Sequence, residues 1–168
     1  MFRVKGVRNV APFGTEEAIR RLVEEYSAML LRLAATRLDS VQDAEDAVQD
    51  VFLKLLSAQP SFRDAGHEKA WLIRATLHRA SDIRRRAGKV IPLEMAESAP
   101  AREEAPENEL LSAVRSLPPA YSAVLHLYYY EGYAIKEIAA LLRLPAATVG
   151  TRLARGRERL RRMLKEEH

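Results

Sequence analysis

From Ala134 to Leu164 the chain reads AIKEIAALLRLPAATVGTRLARGRERLRRML, and no other stretch restricts the fold as much. Ile135, Ile138, Ala139 and Leu142 recur on one face of a short helix. Pro145 fits the first turn of a second helix, where its missing N–H would be unpaired in any case. Along that second helix Val149, Leu153, Leu160 and Leu164 form a narrow apolar stripe. Arg152, Arg155, Arg159 and Arg162 form a basic stripe beside it. The small residues Ala146, Ala147 and Thr148 open the helix and allow close approach to a groove. Two short helices joined by a tight turn, the second one basic, suit a helix-turn-helix seated in the major groove of DNA. A solvated basic helix that merely closes a bundle is the other reading. The side-by-side core and arginine stripes favour DNA.

The same helical period runs through most of the chain. Leu and Ala dominate the apolar residues and favour helix, while strand-like alternation is nearly absent. The expected fold class is all-α. With no cysteine, disulfides and thiolate metal sites are excluded. MFRVKGVRNVAPFG has no apolar core of signal-peptide length, and no later run is long enough to span a bilayer. A cytoplasmic protein without membrane insertion is expected.

Charge divides the chain. Residues 1–86 carry net +3, residues 87–113 net −4 and residues 114–168 net +5. The acidic middle contains Pro92, Pro100 and Pro106, no aromatic residue and little periodicity. It reads as a flexible linker over 89–110, joining helical domains at 14–88 and 111–168. Residues 1–13 form a basic extension without helical period.

The first domain comes in three amphipathic pieces. Thr15 can cap a helix whose apolar face is Ile19, Leu22, Val23, Tyr26, Leu30 and Leu33. Asp39 or Ser40 can cap the next, which buries Ala44, Val48, Val51, Phe52 and Leu55. Asp43, Asp46 and Asp50 share a face of this second helix at i, i+3, i+7. That face is either solvated surface or a docking site for a basic partner. A metal is disfavoured, because no histidine is near and no calcium-loop glycine is present. The third helix, KAWLIRATLHRASDIRRRAGK, packs Trp71, Leu72, Ala75 and Ile83 inward. Arg74, Arg79, Arg84, Arg85 and Arg86 make it more cationic toward its C-terminus, where the helix dipole already favours positive charge. Phe62 precedes it as an exposed aromatic candidate. Guanidiniums for phosphates and an aromatic for an unstacked base are what single-stranded nucleic acid binding calls for.

These motifs together resemble the extracytoplasmic-function sigma factors, the small promoter-recognition subunits of bacterial RNA polymerase. DAEDAVQDVF resembles their polymerase-binding helix, AWLIRATLHRASDIRRR their minus-ten helix, and LPPAYSAVLHLYYYEGYAIKEIAALLRLPAATVGTRLARGRERLRRML their region four. The resemblance implies a transcription initiation factor, not an enzyme, that needs no cofactor. Its partners would be core RNA polymerase, promoter DNA in duplex and single-stranded form, and an anti-sigma factor. Carried over by position, Asp43, Asp46, Gln49 and Asp50 would contact polymerase, with Phe52 in the core. Phe62, Arg63, Arg74, His78, Arg79, Arg84, Arg85 and Arg86 would serve the minus-ten element. Ala146, Thr148, Thr151, Arg152 and Arg155 would serve the minus-thirty-five element.

Some positions depart from the family pattern. Ala134 stands where Ser or Thr usually caps the first helix of the motif, and Arg143 replaces the usual turn glycine. Gly150 replaces a common basic residue, and Gly156 adds a second glycine to a helix interior. His78 takes the place of a common asparagine; it could contact DNA or be a partly buried structural histidine. A stand-alone helix-turn-helix regulator would use the same C-terminal motif but leave the acidic helix without a role. A catalytic reading finds no support: His67, His78, His126 and His168 have no metal spacing, and no nucleophile or phosphate-loop motif is present.

Overall fold

A computed structural model describes residues 16–88 and 109–166. The expected Thr15 cap, the 1–13 extension and linker residues 89–108 lie outside the described residues. Among the described residues seven helices follow in order: α1 (Glu16–Ala35), α2 (Val41–Ala58), α3 (Ala65–Ala87), α4 (Glu109–Ser116), α5 (Pro119–Leu125), α6 (Ile135–Leu142) and α7 (Ala146–Glu166). A π-helical turn, His126–Tyr130, extends α5. No strand occurs among the described residues. Glu109 and Leu110, expected in the linker, already belong to α4.

The first three helices pack on one another. Leu22, Leu30 and Leu33 of α1, Val51 and Leu55 of α2, and Leu72 and Ile73 of α3 are almost completely enclosed. Val23 is the exception to the expected stripe. It is 40% exposed, and Ala18 and Met29 are buried instead. Both α2 and α3 start on side-chain caps. Ser40 accepts from the Asp43 N–H at 3.0 Å, and Asp64 from the His67 N–H at 2.8 Å. Glu68, in the first turn of α3, is fully buried and bonds Arg21 of α1 at 3.2 Å. Sequence reasoning assigned this residue no role. Tyr26, close to this carboxylate, has its hydroxyl pKa pushed well up, first by burial and then by the negative charge of Glu68.

In the second body α7 packs along α5 and α6. Val149, Leu153 and Gly156 are buried, with Leu160 and Met163 partly so. Gly156 is not the simple helix penalty its composition suggests. A Cβ there would stand 3.0 Å from Leu125 Cδ1 and 3.3 Å from Tyr121 Cβ, so the bare backbone is what lets α7 approach α5. Gly150 faces open space. The turn between α6 and α7 runs through Arg143 at φ 55°, ψ 48°. The left-handed geometry that glycine would supply is thus imposed on arginine, which costs about 1–2 kcal/mol.

The two bodies share one contiguous apolar core, and cations of the first add polar ties across the junction. Arg32 bonds Glu131 at 3.2 Å and lies 5.3 Å from the Tyr130 ring centre. Arg37 donates to the Leu77 carbonyl, to Ser81 Oγ and to the Pro119 carbonyl, tying α1 and α3 to the start of α5. Burial, and then the nearby Arg84, bring its pKa down to about 10. Lys69 sits 4.9 Å from the ring centre of the buried Tyr133. The YYYEGY cluster therefore splits, with Tyr133 in the core and Tyr128, Tyr129 and Tyr130 at the edge.

Candidate nucleic-acid and polymerase interfaces

The helical period of α2 separates two groups that the sequence placed together. Gln42, Asp46, Gln49 and Leu53 are all exposed and recur at i, i+4, i+7, i+11, a single stripe facing away from the core. Gln42 donates to Asp46 at 3.0 Å. Leu53 is 56% exposed. Sequence reasoning missed Leu53, and an apolar residue amid polar ones in register with Asp46 and Gln49 was the available signal. Asp43 and Asp50 lie on the flank of this stripe and are less exposed. The Asp50 carboxylate accepts from Arg79 Nε of α3 at 2.8 Å. Phe52 is half-buried against the core, as expected.

Loop and helix residues assigned to single-stranded DNA divide as well. Phe62 is not the free aromatic that its polar loop suggested. It packs on the core edge, 5.3 Å from the His67 ring and 6.1 Å from the Trp71 ring, both edge-on. The cause is tertiary: Asp64 starts α3 so that His67 and Trp71 come round beneath the loop. Arg63 is exposed. His78 is exposed too, which removes the partly buried alternative. Arg85 and Arg86 are exposed, Arg85 pairing with Asp82. Arg84 is half-buried, with Nη1 enclosed. Arg74 departs from this group. It donates to the Leu141 carbonyl at the end of α6 at 3.0 Å, and burial, then nearby Arg143, lower its pKa. This bond makes it a tether between the two bodies.

In α6 and α7 the helix-turn-helix is built as the sequence implied. Ala134 starts α6 in extended geometry but has no side-chain acceptor; only the reverse half of a capping box forms, Ala134 N–H to Glu137 Oε2 at 3.4 Å. Pro145 stands just before α7, its carbonyl accepting from Val149 N–H at 3.2 Å. Ala146, Thr151 and Arg155 are exposed, and Thr148 and Arg152 half-exposed, along the first turns of α7. Thr151 Oγ1 bonds back to the Ala147 carbonyl at 3.0 Å. Farther along, Arg159 lies 5.2 Å from the Tyr121 ring centre and Arg162 pairs with Glu158. Arg152 and Arg155 thus have no acidic partner among the described residues, while Arg161 and Arg162 pair with Glu158.

Two matches decide what this arrangement belongs to. Residues 22–90 match the family described as Sigma-70 region 2, and residues 107–160 match Sigma-70, region 4. The ECF RNA polymerase sigma-E factor of Escherichia coli K12 is 30% identical over 164 residues, covering 86% of this chain and 85% of that protein.

The chain belongs to the ECF sigma factors.

Like that relative, SigW of Bacillus subtilis is matched over nearly its whole length, at 27% identity and with 98% of this chain and 96% of SigW covered. SigE of Mycolicibacterium smegmatis is 31% identical over 83% of this chain and 59% of its own length. Among solved structures, RpoE of Bartonella quintana, in complex with the anti-sigma factor NepR, superimposes with a TM-score of 0.69 at 21% identity. That match covers 92% of this chain and 100% of RpoE. CnrH, in complex with the cytosolic domain of CnrY, gives 0.68 at 24% identity, with 92% of each chain covered. The protein is therefore a transcription initiation factor that associates with RNA polymerase and directs it to promoters. A stand-alone regulator is not favoured, since such a protein would have no use for region 2. No described helix is long and apolar enough to cross a membrane. No described group of His, Asp and Glu is placed to hold a metal ion.

At the junction of the bodies this ECF sigma factor has a cleft of about 900 Å3. Leu111, Val114, Leu160 and Leu164 supply apolar walls, and Arg157, Arg161 and Lys165 stand among its cations.

Proposed function

We propose a division of labour among three surfaces. The exposed stripe of α2, with Asp46 and Gln49 at its centre and Asp43 on its flank, docks on core polymerase. Arg63, His78, Arg79, Arg85 and Arg86 of the α3 side follow the single-stranded minus-ten element, with Phe62 shaping the loop from beneath. The first turns of α7, with Ala146, Thr148, Thr151, Arg152 and Arg155, enter the major groove of the minus-thirty-five duplex. The factor works by binding rather than by catalysis, and it does so in the cytoplasm, where polymerase and chromosome are.

The observation that carries this reading is the contrast along α7. Arg152 and Arg155 have no acidic partner among the described residues, whereas Arg161 and Arg162 lean on Glu158. Unpaired guanidiniums beside small residues at a helix start suit phosphate contact with close approach to base edges. The test is Arg152→Ala with Arg155→Ala. It should weaken holoenzyme binding to a minus-thirty-five duplex and flatten its log–log salt dependence by about 0.9 for each phosphate left without its arginine. Capture of a single-stranded minus-ten oligonucleotide should stay near wild type. Equal loss at both elements would contradict the division.

An anti-sigma factor is the natural antagonist. The apolar cleft with its cations suits an amphipathic helix that carries acidic residues beside its apolar face. Arg161→Glu with Lys165→Glu should weaken binding of such a partner; unchanged binding would place the antagonist elsewhere.

A further inference from the structure

We infer that Asp50 is a positioning residue for minus-ten binding: its carboxylate holds the Arg79 guanidinium at the seam of α2 and α3, where Arg79 takes a phosphate of the single-stranded element. The inference rests on the proposed reading of α3, and it removes Asp50 from the polymerase-docking set that the sequence suggested.

Arg79 Nε donates to Asp50 Oδ2 at 2.8 Å, the length of a charge-assisted bond. That bond uses only one edge of the guanidinium. Neither terminal nitrogen of Arg79 makes a hydrogen bond to another described residue. A planar guanidinium fixed through Nε and free at both terminal nitrogens is prepared for bidentate contact with phosphate. A flexible arginine would first have to lose its rotamer freedom on binding.

Stability does not account for the pair. The side chains are 32% and 41% exposed, and ion pairs of that exposure contribute little to folding. Nor does Asp50 suit polymerase docking. It lies off the Gln42–Asp46–Gln49–Leu53 stripe, and its negative charge is already engaged by a cation of its own chain.

The surroundings point to an anion. Asp50 and Arg79 line a hollow of about 180 Å3 together with Lys54, His78 and Asp82. Asp82 is paired with Arg85, so both carboxylates at the hollow have partners. Lys54, 6.0 Å from the Trp71 ring centre, has no acidic partner among the described residues. What the hollow offers a ligand is therefore two cations, the Lys54 ammonium and the free edge of Arg79, beside the exposed imidazole of His78.

The experiment uses reconstituted holoenzyme. It measures core-polymerase affinity and, separately, affinity for a fluorescent single-stranded minus-ten oligonucleotide across a salt series. The proteins are wild type, Asp50→Asn, Asp50→Glu, Arg79→Gln and the Asp50→Asn/Arg79→Gln double variant. Arg79→Gln should weaken oligonucleotide binding about tenfold and reduce the salt slope by about 0.7, the single-strand value for one phosphate. Asp50→Asn should leave core affinity unchanged yet weaken oligonucleotide binding about fivefold, with Asp50→Glu recovering most of the loss. The double variant should be no weaker than Arg79→Gln alone, because Asp50 acts through Arg79. Additive losses would overturn the inference. So would a loss of core affinity in Asp50→Asn, which returns Asp50 to docking, or tighter oligonucleotide binding, which makes it a mere repulsive charge. If Arg79→Gln changes neither affinity nor slope, the reading of α3 fails along with it.

Discussion

The two helical bodies of this sigma factor are finished to different standards. In the first, α2 and α3 begin on side-chain caps from Ser40 and Asp64, and a buried carboxylate, Glu68, is satisfied by Arg21 across the core. In the second, α6 begins on uncapped Ala134 and α7 carries Gly150 against open space, whereas a left-handed C-cap is common to both bodies, Gln59 ending α2 and Arg143 ending α6. The missing cap and the interior glycine each weaken α6 or α7 by roughly 1 kcal/mol. The helix starts of region 2 are thus the better satisfied ones. Region 4 is held together by its core, its close α5–α7 approach and its contacts with region 2. A body with little stability of its own can change its placement at small cost when polymerase and DNA supply new contacts.

The largest expected effect lies in region 2. Glu68→Gln keeps shape but removes the charge facing Arg21, and it should cost about 2–3 kcal/mol in urea unfolding. That is less than for a fully enclosed pair, because Arg21 is one-third exposed and keeps Glu25. A loss below about 0.5 kcal/mol would show that the buried pair does not distinguish region 2.

The converse effect belongs to region 4. Arg143→Gly, Ala134→Ser and Gly150→Ala should each stabilise it by about 1 kcal/mol, nearly additively, because each repairs a separate local defect. Hydrogen exchange in α6 and α7 is the readout. Destabilisation by Ala134→Ser or Gly150→Ala would break the contrast between the bodies at that position, and destabilisation by Arg143→Gly would show that the left-handed turn is not strained.

The smallest effect is a pH dependence at the junction. His126 has its pKa lowered, chiefly by burial, although Glu131 at 3.2 Å opposes the shift. The folded protein then binds fewer protons at this site than the unfolded chain, so stability falls as pH drops from the ordinary histidine pKa through the lower folded value. Wild type should lose more stability than His126→Gln between pH 7 and pH 5. Equal losses would mean that the imidazole is not desolvated at the junction.

How much of this could be read from the sequence differs by kind of feature. Helices announced themselves through apolar period, as did the helix-turn-helix through Pro145 and its paired stripes. What stayed hidden depends on partners distant in the chain. Glu68 looks like any acidic residue in a first helical turn, and only Arg21 forty-seven residues earlier makes it a core residue. Asp50 looks in sequence like one more carboxylate of α2, and its bond to Arg79 depends on a helix twenty-nine residues away. Phe62 looked exposed because its neighbours in sequence are polar, whereas its neighbours in space are His67 and Trp71. Gly156 looked like a defect and is a packing requirement. Arg74 was placed with the DNA-binding arginines by its helix, yet its partner is a carbonyl of the other body.

The central claim, that an acidic helix of region 2 recruits polymerase while separate surfaces read DNA, is tested most directly by reconstitution. Asp46→Arg with Gln49→Arg changes only exposed positions of α2 and should leave the fold intact. The account predicts that wild type forms a holoenzyme with core RNA polymerase and gives promoter-specific run-off transcripts, and that the double variant does neither while keeping its helical content. Wild-type co-purification and transcription by the double variant would contradict it.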